Sequence, residues 1–264
     1  MFSLVELKSF YRRRISIPVN PGDLVLDVGS GDKPHWRADI LLDRFPDSEH
    51  VVQRAGAAAA RTPRPLFDAD IADMPFADQV FDYVVCSHVL EHVIDPAAAM
   101  SELMRVAKAG YIEVPAAGSA RLVDFPSHLW WCRLEGTTLT FEAKTSLAFD
   151  ADIDEWARSD DVRTDLEKLL ARHLTSRLVT YAWRDRFEYR VTGSPTAELL
   201  ADVERLGATH DTKDDTLVRV LTSLLTLPRW REKRPRPIRG SDVLKPHLVL
   251  PGDPVLERRR YRVD

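Results

Sequence analysis

Cysteine is almost missing from this chain: Cys86 and Cys132 are the only two in 264 residues. Two thiols exclude a disulfide framework and a cysteine-rich zinc site. They suit a reducing compartment, and a cytoplasmic location is expected. No stretch has the length and apolarity of a membrane-spanning helix. Residues 1–10 form an amphipathic start with Glu6 and Lys8, lacking the apolar run and small-residue cleavage site of a signal peptide. A basic excess is missing as well: 37 Lys and Arg face 41 Asp and Glu, a net charge of -4. Nucleic-acid binders normally carry a positive footprint, so no nucleic-acid partner is expected. No internal repeat points to a solenoid. What is present is the balance of a globular protein, 44% hydrophobic and 30% charged. Such a chain buries a core without covalent staples.

The first half alternates short apolar runs with helical spacing, the pattern of βαβ units around a parallel sheet. Strands are expected at 24–28, 38–43, 65–70, 81–87 and 111–114. Before the fifth, Asp95 and Pro96 open a helix carrying Met100, Leu103, Met104 and Ala107 on one face, and Gly110 is read as its left-handed stop. Residues 116–147 are aromatic-rich without a clear period. Val162, Leu166, Leu169 and Leu170 mark an amphipathic helix. Segments 177–183 and 187–191 read as two paired strands that close the sheet with an antiparallel edge. The fold class expected is α/β: a doubly wound, Rossmann-like, seven-stranded mixed sheet of order 3-2-1-4-5-7-6. It would occupy residues 1–194. Residues 195–264 would form a helical and irregular appendage, with helices at 195–207 and 214–225. A basic, proline-broken stretch follows, holding Arg229, Arg231, Lys233, Arg234, Arg236 and Arg239, and it reads as a solvated surface.

Asp27-Val28-Gly29-Ser30-Gly31 closes the first strand. In open α/β sheets ligands bind just beyond that end. Glycines there permit positive φ and close approach of backbone N–H groups. Three more polar groups fall at the same edge. Asp43 ends the second strand, where a carboxylate can accept both hydroxyls of a ribose. Asp70, followed by Ile71, ends the third, where it can accept from an adenine amino group. Cys86-Ser87-His88 ends the fourth. Twelve positions separate Gly31 from Asp43, against about 20 in dinucleotide-binding units. The first helix is therefore short or missing, which argues against NAD, and His35 and Trp36 are placed near the open side of the site.

Together these motifs resemble the class I S-adenosylmethionine-dependent methyltransferase family, in its type 11 subgroup. Asp27-x-Gly29-x-Gly31 is similar to the motif that wraps the methionine part of the cofactor. The 81–92 run Phe-Asp-Tyr-Val-Val-Cys-Ser-His-Val-Leu-Glu-His resembles the segment after the fourth strand, and Leu103 to Lys108 the approach to the fifth. Lys33 stands where the family has a third glycine. The resemblance covers residues 20–115. It implies S-adenosylmethionine as cofactor, S-adenosylhomocysteine as product, and cofactor contacts from Asp27, Gly29, Ser30, Gly31, Asp43, Asp70, Ile71 and Ser87.

Methyl transfer from a sulfonium depends mainly on positioning, and an oxygen acceptor also wants a general base. His88 is the first candidate base by location, His128 the second. Glu113 and Asp124 follow. The reaction expected is O-methylation of a saccharide or other small polar metabolite. An N- or C-methyltransferase, or a non-catalytic cofactor-binding module that regulates a partner, are the alternatives. The Asp/Asn-Pro-Pro-aromatic signature of base N-methylation is missing after the fourth strand. His88-Val89-Leu90-Glu91-His92 also spells the H-x-x-E-H zinc pattern. The methyltransferase resemblance accounts for it, so no metal is expected. The sequence leaves room for a homodimer.

Overall fold

Short apolar runs bounded by turns become five central strands: β1 (Val25–Val28), β2 (Ile40–Leu42), β3 (Leu66–Asp68), β4 (Tyr83–Ser87) and β5 (Ala109–Pro115). This is a computed structural model describing residues 7, 8, 10–47, 59–207, 216–227 and 236–262. Next come a hairpin of β6 (Trp130–Glu135) and β7 (Thr138–Ala143), then β8 (Leu178–Arg184), β9 (Glu188–Thr192) and β10 (Arg260–Arg262). The main sheet has seven strands in the order β10-β3-β2-β1-β4-β5-β8. Only β8 runs antiparallel to its neighbour. The mixed α/β sheet, its 3-2-1-4-5 centre and the antiparallel strand beside β5 are as expected.

The edges differ from expectation. β9 does not pair along β8. It joins β7 in parallel, making a separate three-stranded sheet, β6-β7-β9. Residues 185–187 turn the chain away, with Asp185 at a φ of 62°, so that Tyr189 and Val191 lie beside the buried Leu139 and Phe141. The β6-β7 hairpin is the regular structure inside the stretch that showed no period. Its two-residue loop places Gly136 at a φ of 63°, the conformation such tight hairpins require.

Helix α1 (Pro96–Val106) begins as read from sequence. Asp95 accepts the Ala98 N–H at 2.9 Å, and Pro96 occupies the first turn. Its buried side chains Ala99, Met100, Leu103 and Val106 pack on the sheet. The expected stop at Gly110 is corrected. The helix ends at Val106, and Gly110 lies inside β5. A Cβ at Gly110 would sit 2.7 Å from Val84 Cγ1 and 2.8 Å from the Trp183 ring. Close packing between strands, not a left-handed turn, asks for glycine here.

Helix α2 (Asp160–Arg172) covers the amphipathic segment, and α3 (Ala197–Gly207) and α4 (Thr216–Thr226) match the two later helices. Leu199 and Val203 of α3 enter the main core, as do Ile238, Val243, Leu244, Leu256 and Tyr261. Tyr261 stacks on Phe67 with centroids 5.3 Å apart. β10 pairs with β3. Residues beyond 194 therefore share the core of the sheet. Arg229, Arg231, Lys233 and Arg234 of the basic stretch, and most of the 1–10 segment, lie outside the described residues. No described helix is long and apolar enough to cross a membrane.

Candidate active site

Parallel pairing puts the C-terminal ends of β1, β2, β4 and β5 on one edge. Val28 pairs with Leu42 and Cys86, and Ser87 with Glu113. The chain leaves β1 through Gly29 at φ 65° and Gly31 at φ 50°, the left-handed region that favours glycine. Gly29 is doubly constrained, because a Cβ there would meet Val89 Cγ2 at 2.3 Å. No helix forms within residues 29–39, in keeping with the short spacing. Asp43 fixes the loop instead. Its Oδ2 accepts the Gly31 N–H at 2.9 Å and its Oδ1 accepts the Phe45 N–H at 2.8 Å. Ser30 is buried, and its hydroxyl has no partner among the described residues.

Asp27 faces the turn that replaces the first helix. Its Oδ2 accepts the His35 N–H at 2.6 Å. His35 is itself buried and turned inward, with Nδ1 accepting from the Arg37 N–H at 3.2 Å. That corrects its expected place on the open side: the turn is too tight to leave the ring outside. Burial raises the Asp27 carboxyl to about 7, and the His35 N–H lowers it only in part. A carboxyl raised on folding favours the fold in acid. That advantage is complete below the unfolded value and is lost as pH rises through about 7. Asp27→Asn removes the charged form and keeps an acceptor for the His35 N–H. Denaturation curves should show the variant gaining on the parent at pH 8, by up to about 4 kcal/mol. The gap should shrink toward pH 4. A gap independent of pH would mean that Asp27 does not titrate in that range.

Asp70 accepts the Ala72 N–H at 2.9 Å and pairs with Arg44, leaving its side chain about a third exposed. Ile71 is buried beside it and Ser87 is half-buried. The cofactor-side candidates thus lie along one edge of the sheet.

The acceptor side is a chain of charged groups. Arg13 pairs with Glu113 through two guanidinium nitrogens, and Tyr111 donates to Glu113 at 2.6 Å. His88 Nε2 lies 3.0 Å from Glu113 and Nδ1 3.1 Å from Glu91. His128 Nε2 is 3.9 Å from Glu91, its Nδ1 bonds Asp124, and Asp124 takes the buried Lys144 ammonium. Desolvation alone would lower the His88 pKa, but the hydrogen bonds the ring donates to Glu113 and Glu91 outweigh it and raise the 38% exposed side chain to about 9. Burial raises Glu113, yet Arg13 and His88 bring it well below the usual carboxylate range. His92 goes the other way, to about 4, through burial and the nearby His128.

These contacts bear on the roles expected from sequence. His88, at φ 57°, lies between two carboxylates that favour its imidazolium form, and an imidazolium donates protons. It becomes a base only after giving up one contact. His128 is 5% exposed and packs edge-on against the His92 ring, centroids 4.7 Å apart. The H-x-x-E-H pattern is rearranged too. His88 turns to Glu113, and the groups that converge are Glu91, His92 and His128. Glu113 and Asp124 are hubs rather than minor candidates. Arg13 and Tyr111 were not singled out by sequence, and Lys144 only as part of the aromatic segment His128 to Lys144. Tyr111 had a signal: it is two residues from Glu113 in a strand, hence on the same face. Arg13 had none.

Residues 43–112, from the end of β1's neighbour β2 to the middle of β5, match the family model described as a methyltransferase domain. Over that stretch the chain is similar to methyltransferases of type 11. Curated proteins similar to this chain include the demethylmenaquinone methyltransferase of Mycolicibacterium paratuberculosis. It is 33% identical over 102 residues, covering 37% of this chain and 42% of the relative. The protein of the same name from Roseiflexus sp. is 33% identical over 99 residues, covering 37% and 39%. The chain thus spans about two fifths of the length of these relatives. A chain in the solved complex containing the Haloferax volcanii Trm112 methyltransferase activator superposes with a TM-score of 0.42. It is 20% identical, over 69% of this chain and 89% of that one. The family match takes in Asp43, Asp70, Ile71, Ser87, His88, Glu91 and His92 of the candidate site. The glycine loop precedes it and joins the site through the pairing of β1 with β2 and β4.

Proposed function

We propose that the protein is an S-adenosylmethionine-dependent methyltransferase acting on an oxygen of a saccharide or other small polar metabolite. The observation that carries the cofactor half is the loop of two left-handed glycines tied by Gly31 N–H to the Asp43 carboxylate. The residues fit this cofactor. No helix starts within residues 29–39, so there is no helix N-terminus for a dinucleotide pyrophosphate. A cofactor without pyrophosphate needs none. Ser30 adds a buried hydroxyl without a partner among the described residues. Gly29, Ser30 and Gly31 would hold the methionine part. Asp43 would accept from the ribose hydroxyls with the lone pairs its two backbone bonds leave free, and Asp70 with Ile71 would flank the adenine. Bound there, the cofactor supplies a methyl group already activated on a sulfonium.

What the chain adds is placement. The Arg13–Glu113–His88–Glu91 ion pairs fix the strand ends against the N-terminal segment, setting the floor of the acceptor side. A cleft nearby is lined by Arg121, Asp124, Phe125 and Phe149, with the Arg121 guanidinium 4.2 Å from the Phe149 ring centroid. Aromatic faces beside charged groups suit a ring bearing hydroxyls, which supports a saccharide-like acceptor.

Calorimetric titration with S-adenosylhomocysteine, and NADH as control, tests the cofactor half. Micromolar binding of the first and none of the second is expected. Binding of NADH instead, or of neither by folded protein, would reject it. Transfer of labelled methyl to a saccharide panel tests the acceptor half. Labelling of a demethylmenaquinone acceptor instead, as the curated relatives are named for, would replace it.

A further inference from the structure

We propose that Glu91, His92 and His128 form a binding site for one first-row divalent metal cation, of the kind that zinc or cobalt represents. One ligand atom from each lies within 4.8 Å of the other two. Two imidazoles and one carboxylate are a nitrogen–oxygen donor set that suits such ions, and three protein ligands leave a further position open.

Three observations make the cluster more than proximity. The first is an unpartnered oxygen. Glu91 is 0% exposed and its Oε2 has no hydrogen-bond partner among the described residues. A buried carboxylate oxygen left so is costly unless a cation or donor meets it. The second is the outer shell. His92 Nδ1 lies 3.1 Å from the Ser127 carbonyl, and His128 Nδ1 bonds the Asp124 carboxylate. A carbonyl and a carboxylate each call for N–H at Nδ1, which leaves the lone pair on Nε2 of both rings. Metal-ligating histidines are oriented by this kind of contact. Asp124 is in turn held by Lys144.

The third is charge. Arg13 is matched to Glu113 and Lys144 to Asp124. Glu91 is left with histidines alone as its ion-pair partners among the described residues. His88 is shared with Glu113, so Glu91 has no cation to itself among the described residues, and a divalent ion would supply one. Tetrahedral zinc at its usual bond lengths sets ligand atoms roughly 3.3 Å apart. The 3.9 Å from His128 Nε2 to Glu91 Oε1 is close to that, so binding would contract the cluster modestly. The ligand set differs from the H-x-x-E-H pair, because both His88 nitrogens already face carboxylates. The proposal is independent of methyl transfer.

The test uses the full chain stripped with chelator, titrated with zinc by calorimetry and with cobalt by visible absorption. One equivalent should bind, with cobalt d–d bands. His128→Ala and His92→Ala should abolish both signals in protein whose circular dichroism is unchanged. His92 is only half-buried, so its variant keeps the test readable if His128→Ala fails to fold. Asp124→Asn should weaken binding about 10–100-fold. His88→Gln should retain the bands. Binding that survives His92→Ala, binding lost only in His88→Gln, or no binding by folded parent protein would each overturn the site.

Discussion

Asp43→Ala should abolish measurable S-adenosylhomocysteine binding while the chain stays folded. The carboxylate does two jobs at one point. Its oxygens already take the N–H groups of Gly31 and Phe45, and those bonds set the path of the loop. Its remaining lone pairs are the ones proposed to accept from the ribose. A hydrogen bond to a charged group is worth about 1.5–3 kcal/mol. Losing two toward the ribose alone costs at least about 3 kcal/mol, more than a hundredfold in affinity. The loop would also relax, since Gly31 at φ 50° loses the group that holds it. Stability should fall less than affinity. Gly31 and Phe45 are only half-buried, so water can reach the freed N–H groups. Asp43→Asn keeps one acceptor and should lie between. Calorimetry on all three proteins reads the result. An affinity unchanged within a factor of about three would remove Asp43 from the cofactor site and leave it a loop anchor alone.

Glu113→Gln should lower the unfolding midpoint by about 10 °C, the largest single loss of stability expected in the network. Glu113 is 2% exposed and is met by Arg13, Tyr111 and His88. Removing its charge leaves the Arg13 guanidinium, itself 19% exposed, facing a neutral amide. Breaking one partner of such a buried pair costs about 3–5 kcal/mol, and each kcal/mol moves the midpoint of a chain this size by about 2–4 °C. The cost comes from the orphaned charge rather than from any large net gain in the intact pair. Removing both charges should therefore recover part of it. Arg13→Met with Glu113→Gln should be more stable than the sum of the single variants predicts, with a coupling of about 1–3 kcal/mol. Melting curves of the four proteins close the cycle. Strict additivity would show that Arg13 does not act on Glu113 in solution.

Both predictions turn on a difference between local and distant information. Pattern alone was enough for the centre of the fold. Apolar runs at 24–28 and 81–87, buried on both faces, could only be inner strands of a parallel sheet. Asp95-Pro96 carried the start of α1 in its own chemistry. The short interval from Gly31 to Asp43 by itself removed the first helix and disfavoured NAD. Once the strands are parallel, their polar ends must share an edge, so the polar residues of that edge were legible from sequence order.

The acceptor side was not legible, because its contacts join residues far apart in the chain. Arg13 meets Glu113 a hundred positions away, and Lys144 meets Asp124 across the β6-β7 hairpin. No local period records such pairs. The role of Gly110 depended on Trp183 arriving from β8, and β9 chose β7 over β8 because the hairpin offered an edge the sequence had not revealed. The protonation of His88 followed the same rule. The sequence by itself determined the α/β class, the strand order at the centre and the glycine loop, since each is set by neighbours in the chain. Only the tertiary structure decided which carboxylates hold His88, where the C-terminal strand docks and which histidines face Glu91. Those depend on Coulomb and packing terms between segments that meet only when the sheet has formed.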